Sequence, residues 1–225
     1  MEMGRLYHLL EKYNKAAEQF ARVLDALERP EQFGLEAKIK DILLSDPDPT
    51  YNLMGQCFLL DGRPDKATAA FEKAHQAKAN AAVRSYRLAQ VDFRLGRHEQ
   101  ALAKLSAYFA DKQAGEGLAP YRLLADVLKA LGKQDELLAR VEKLRAADPE
   151  NGPLAYFVAE KLLEANQIEK AEALYRDLVV RMPTLAGYRG LVEIYRRTRR
   201  YDALLAILGE AVDKTSSLEP LAEKD

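Results

Sequence analysis

The sequence predicts an all-α protein, an α-solenoid built from repeated helix–turn–helix units. Three observations predict it. Apolar residues recur at helical spacing almost throughout the 225 residues, and neither sustained strand alternation nor hairpin dipeptides between β-branched runs interrupt them. A short element returns at a near-constant interval: LDGRPDKATAAF at 60–71, RLGRHEQALAKL at 94–105, ALGKQDELLARV at 130–141 and LEANQIEKAEALY at 163–175. Gly and Pro fall between the periodic runs, as in SDPDPT at 45–50, ADPENGP at 147–153 and RMPT at 181–184. In these, an Asp, Asn or Thr can cap the next helix, and a Pro can end one helix or begin another.

The recurring element is a turn. Gly62, Gly96 and Gly132 stand 34 and 36 residues apart, and Asn166 follows 34 residues later. Glycine and asparagine both tolerate the left-handed conformation that ends a helix. A phosphate-binding loop would occur once and follow a strand, whereas this element occurs four times and follows a helix.

The elements follow in order. A first repeat near 1–30 keeps Gly4, Tyr7, Ala16 and Phe20. Residues 31–46 carry Leu35, Ile39, Ile42 and Leu43 on one stripe, which predicts an extra helix with one buried face. In the repeat near 48–81, Gly55 and Ala67 stand where two helices cross, with Tyr51, Met54, Phe58 and Phe71 filling the space around them. Partial copies follow near 82–115 (Leu88, Ala89, Ala101, Leu105), 118–151 (Tyr121, Leu124, Ala125, Pro149), 152–184 (Val158, Ala159, Ala171, Tyr175, Pro183) and 185–214 (Tyr188, Leu191, Tyr195, Ala211). Together they predict one array over 1–225. Its first helix begins already inside a repeat, and Ser216 can cap a new helix at Leu218. A longer parent array is therefore expected, because an array needs polar caps at both ends.

The spacing and the residues named for 51–79 resemble the tetratricopeptide repeat, a 34-residue helix pair. The resemblance covers almost the whole chain in about six degenerate copies. It implies a right-handed superhelix whose first helices line a concave groove. First-helix residues facing away from the second helices would then line that groove. They are Asn52 and Gln56; Tyr86, Arg87, Gln90 and Arg94; Arg122, Asp126 and Lys129; Tyr156, Glu160 and Glu164; and Arg189, Glu193, Arg196 and Arg197. Tyr and Arg are residue types that anchor interfaces. Some family members hold a chaperone's C-terminus in a clamp of Lys, Asn, Asn, Lys and Arg. Here Asn52, Arg87 and Leu123 stand at three clamp positions, which argues against that ligand.

The resemblance therefore implies a non-enzymatic scaffold that binds a protein or peptide segment. The alternative is a structural spacer or oligomerisation array with an idle groove. A reader of RNA would need a basic groove, and a net charge of −1 with Glu160, Glu164 and Glu193 on this face argues against nucleic acid.

No constellation suggests catalysis, a cofactor or a metal. His8, His75 and His98 lie in different repeats at no ligand spacing, and Cys57, the single cysteine, sits beside core aromatic positions and reads as a core thiol. No apolar stretch approaches the ~20 residues that span a bilayer, so membrane insertion is not expected. In YRRTRRY at 195–201, Arg196, Arg197, Arg199 and Arg200 complement a helix C-terminus or await an anionic contact.

Overall fold

A computed structural model describes residues 1–111 and 117–215. Among these residues there are fourteen α-helices and no strand. They are α1 (Glu2–Leu9), α2 (Tyr13–Glu28), α3 (Pro30–Phe33), α4 (Ala37–Leu43), α5 (Pro47–Leu60), α6 (Pro64–Ala77), α7 (Ala81–Arg94), α8 (His98–Phe109), α9 (Ala119–Ala130), α10 (Leu137–Ala147), α11 (Gly152–Glu164), α12 (Ile168–Arg181), α13 (Leu185–Arg197) and α14 (Tyr201–Thr215). Where the sequence leads one to expect a single array, the helices fall into two compact units, Met1–Gly115 and Glu116–Asp225. The cap and helix start expected at Ser216 and Leu218 lie outside the described residues.

One turn geometry joins each of the six helix pairs α1–α2, α5–α6, α7–α8, α9–α10, α11–α12 and α13–α14. Its central residue has positive φ: Glu11 (55°), Gly62 (73°), Gly96 (72°), Gly132 (68°), Asn166 (58°) and Arg199 (56°). The next residue's N–H donates back into the first helix, as Arg63 N does to Phe58 O at 2.8 Å and Arg200 N to Tyr195 O at 3.0 Å. These bonds satisfy carbonyls that a helix end otherwise leaves bare. Four of the six turns are legible as Gly or Asn. Glu11 and Arg199 carry a Cβ in the same conformation, so composition does not reveal them.

The turn residue sets the register of every pair. Seven residues before it stand Gly4, Gly55, Ala89, Ala125, Ala159 and Val192; nine after it stand Phe20, Phe71, Leu105, Val141, Tyr175 and Leu208. A methyl group at Gly4 or Gly55 would come within 2.6 Å of the Phe20 ring or 2.4 Å of the Phe71 ring, so these glycines let the two helices approach. Five residues after their turns, Ala16, Ala67, Ala101 and Ala171 are fully buried at the same crossing. The caps are local: the side chains of Asn80, Asn151 and Thr184 accept from Val83 N (2.9 Å), Leu154 N (3.0 Å) and Gly187 N (3.4 Å).

The extra segment differs from expectation. Gly34 at φ 59° splits it into α3 and α4, and its stripe is not buried: Ile39 is 44% and Ile42 62% exposed. Leu35 and Leu43 are half-buried against the core of the first unit.

Candidate functional site

In the first unit the expected groove residues divide. Gln56 Nε2 donates to Gln90 Oε1 at 2.9 Å, joining equivalent positions of consecutive repeats, and Gln90 Nε2 donates to Tyr86 Oη at 3.0 Å. Asn52 is half-buried and Arg94 exposed. Tyr86 and Arg87 depart from the expectation, being 4% and 6% exposed. The Tyr86 ring packs on Tyr108. Arg87 stands nine residues before its turn, the register that places Gly190 on the preceding pair, and its Nη1 donates to Asp48 Oδ1 at 2.8 Å in the first turn of α5. It is a packing residue rather than part of an open face.

Also in the first unit, His8 Nδ1 lies 3.4 Å from Cys57 Sγ, a pairing across 49 residues with no sequence signal. Burial pushes the thiol up to about 11, so it stays protonated at neutral pH and is not an activated nucleophile. Among the described residues no group of three or more His, Cys, Asp and Glu side chains could hold a metal ion, and no helix is long and apolar enough to cross a membrane.

The second unit carries a groove. This groove of about 480 Å³ is lined by Leu118, Phe157, Leu163 and Val192, with Arg122, Glu160, Glu193 and Arg196 also on its walls. Counting back from the turns shows how α9, α11 and α13 align. Arg122, Tyr156 and Arg189 stand ten residues before; Asp126, Glu160 and Glu193 six before; Lys129, Leu163 and Arg196 three before. A row of exposed carboxylates thus runs between two rows that carry the basic side chains. The apolar lining, absent from the sequence-based site, follows from the same register once the turns are located.

Local bonds fix the walls. Tyr156 Oη donates to Met182 O at 3.1 Å and accepts from Thr184 Oγ1 at 2.6 Å, which ties it to the start of α13. Lys161 reaches Glu164 at 2.6 Å and Glu160 at 3.6 Å, and its ammonium lies 5.2 Å from the Phe157 ring centre. Tyr175 lines the groove from α12. Burial, then the Glu160 and Glu164 carboxylates, raise its phenol above the ordinary range, so it remains neutral.

The arginines of YRRTRRY take separate roles. Arg196 lines the groove. Arg197 donates to Leu163 O and Asn166 Oδ1, both at 3.3 Å, at the end of α11. Arg199 makes the turn. Arg200 holds Glu172 at 2.6 Å and lies over the Tyr195 ring, while Tyr195 Oη donates to the same carboxylate at 2.9 Å. Burial alone would raise the Glu172 carboxyl, but the bonds from Arg200 and Tyr195 hold it below its ordinary value.

No protein-family model matches the sequence, and no curated protein does. Solved structures do. PilW, a widely conserved type IV pilus biogenesis factor, is 16% identical with a TM-score of 0.53, over 91% of this chain and 96% of its own. TTC0263, a tetratricopeptide-repeat protein of Thermus thermophilus, is 22% identical with a TM-score of 0.48, over 74% and 90%. PilF of Pseudomonas aeruginosa is 16% identical at 0.48, over 93% and 97%. With six helix pairs in one turn register, the chain is a helical-repeat protein with the tetratricopeptide-repeat fold.

Proposed function

We propose that this protein is a non-enzymatic scaffold, and that the faces of α9, α11 and α13 in the second unit hold an extended segment of another protein. The observation that carries this reading is the ordered groove: apolar residues on its lining, with Asp126, Glu160 and Glu193 forming one row across three helices. A segment crossing packed helices at their usual spacing of ~9 Å meets a new carboxylate roughly every third residue, at about 3.3 Å per residue. The reading therefore favours a partner with basic side chains at that spacing and apolar ones between them. Arg122 and Arg196 on the flanking rows would repel a segment placed off the row and accept acidic groups beside it, which fixes register and direction.

The test starts from crosslinking with the protein as bait, then titrates the captured segment as a synthetic peptide. Glu193→Lys and Arg122→Glu are each expected to weaken binding about tenfold without loss of helix by circular dichroism. Lys170→Glu, on the second-helix surface of α12, leaves it unchanged. Added salt weakens binding, with a slope shallower than that of a nucleic-acid complex. Groove variants that bind normally while Lys170→Glu abolishes binding would move the working surface to the second helices.

A further inference from the structure

In the first unit, the position six residues before the turn holds Gln56 and Gln90, and the two carboxamides share a hydrogen bond of 2.9 Å across consecutive pairs. In the second unit the same position of α11 and α13 holds Glu160 and Glu193, which both line the groove. Carboxylates only accept hydrogen bonds, so this pair cannot close on itself as the amides do, and like charges placed there repel. Glu193 has no ion pair among the described residues. Glu160 is met at 3.6 Å by Lys161, whose ammonium is already held by Glu164 at 2.6 Å and lies over the Phe157 ring.

The floor of the same groove carries a second unsatisfied group. Tyr175 is 6% exposed, and the hydroxyl end of its ring lies against Gly190, in the space that a side chain there would fill. It lines the groove together with Glu160 and Glu193. Among the described residues no hydrogen bond reaches its hydroxyl. Tyr156 differs, since its Oη both donates to Met182 O and accepts from Thr184 Oγ1. A buried hydroxyl without a partner costs free energy. This one, kept neutral by burial and by the Glu160 and Glu164 carboxylates, has one proton to donate and lone pairs to offer.

We propose that Glu160, Glu193 and the Tyr175 hydroxyl form a subsite for one lysine side chain of the partner segment. This rests on the groove reading and names the residue that anchors the segment. An ammonium has three N–H donors pointing in different directions, which suit a carboxylate on each wall and the phenol oxygen on the floor. The phenol proton then goes to one of the carboxylates. Phe157, Leu163 and Val192, in the same groove, offer apolar surface to the lysine stem. A guanidinium is a rigid planar fork of five donors, and it would leave some of them unpaired beside Arg189 and Arg196, which also line the groove. The occupant is an organic cation, because among the described residues no group of three or more His, Cys, Asp and Glu side chains could hold a metal ion.

NMR titration with the blocked peptide Gln-Leu-Ala-Lys-Ala-Leu-Gln, and with the same peptide carrying arginine or norleucine in place of its lysine, tests it. The lysine peptide is expected to bind about fivefold more tightly than either counterpart. Tyr175→Phe keeps the ring against Gly190 and removes only the hydroxyl. It is expected to leave the urea midpoint unchanged, to weaken the lysine peptide about fivefold and to leave the norleucine peptide as it was. Glu193→Gln should weaken the lysine peptide about tenfold, and Glu160→Gln should act alike and takes the place of Tyr175→Phe if that variant fails to fold. A lysine peptide no tighter than the norleucine one overturns the subsite. So does an arginine peptide that binds as tightly, or a folded Tyr175→Phe variant that binds lysine as the unaltered protein does. The groove reading fails by a different result, a captured segment indifferent to both Glu193→Lys and Arg122→Glu.

Discussion

The ring of Tyr175 fills the space that a side chain at Gly190 would need: a methyl group there would lie 2.3 Å from its Cζ. This relationship links packing to the site. Tyr175 comes from α12, Gly190 from α13, and both line the groove whose rim carries Glu160 and Glu193. The absent side chain lets an aromatic from a second helix reach a face otherwise built from first helices.

Gly190→Ala is therefore expected to destabilise the protein. Alanine gains up to ~1 kcal/mol in helix propensity, but overpacking against a buried ring costs roughly 1–3 kcal/mol. A methyl group at Gly209, inside α14, would meet no atom within 4 Å. Gly209→Ala should raise stability by up to ~1 kcal/mol. Urea midpoints of the two variants moving in opposite directions check the packing.

Ala171 opens α12 where it crosses α11 and is fully buried, while its neighbour Lys170 is exposed. Ala171→Leu should cost roughly 1–3 kcal/mol, and Lys170→Leu within about 0.5 kcal/mol of nothing. Equal costs in a denaturant titration would mean that the two helix faces have been exchanged.

Ala171 and Tyr175 were legible because they follow one rule, a small residue at a crossing and an aromatic above it. The turns at Gly62, Gly96, Gly132 and Asn166 were legible for the same kind of reason, since backbone conformation restricts their residue type. Glu11 and Arg199 escaped because bonds to the preceding helix hold a left-handed turn without glycine. The 31–46 stripe misled because Gly34 interrupts the helix that the periodicity implies. Arg87 misled because charge suggests exposure, whereas its register points it toward Asp48, and which carboxylate waits there is a tertiary fact. The apolar groove lining was hidden because Phe157, Leu163 and Val192 read as core in any single helix.

Arg87→Ala tests that reassignment. Removing one member of a buried ion pair costs roughly 3–5 kcal/mol. The Arg87 side chain is 7% exposed but that of Asp48 is 24%, so water relieves part of the loss and about 2 kcal/mol is expected. Asp48→Ala in the same background should add little, the signature of a coupled pair. Binding through the second unit should be unchanged once the variant is folded. Loss of binding at full stability would return Arg87 to an interaction face.

Stability is expected to fall at alkaline pH. Burial raises Cys57 from an ordinary value near 9 to about 11. Burial, then the bond to Glu210, raises Tyr188 from 10 to about 12, and burial also leads the upward shifts of Tyr51, Tyr175 and Tyr195. In each case the folded chain holds its proton to higher pH than the unfolded chain. Above pH 9 the unfolded thiol ionises first, and above pH 10 the unfolded phenols follow, so unfolding releases protons and stability falls as pH rises. Near pH 7 these groups are protonated in both states and contribute no slope. The urea midpoint is therefore expected to be insensitive to them near pH 7, to begin falling as pH approaches 9 and to drop further to 10.5. Cys57→Ala should lower the midpoint at every pH by leaving a small cavity, yet flatten the onset of the drop near pH 9, where the thiol's share is largest. An unchanged slope there would mean that Cys57 ionises no later in the folded chain than in the unfolded one, and that His8 at 3.4 Å stabilises a thiolate after all.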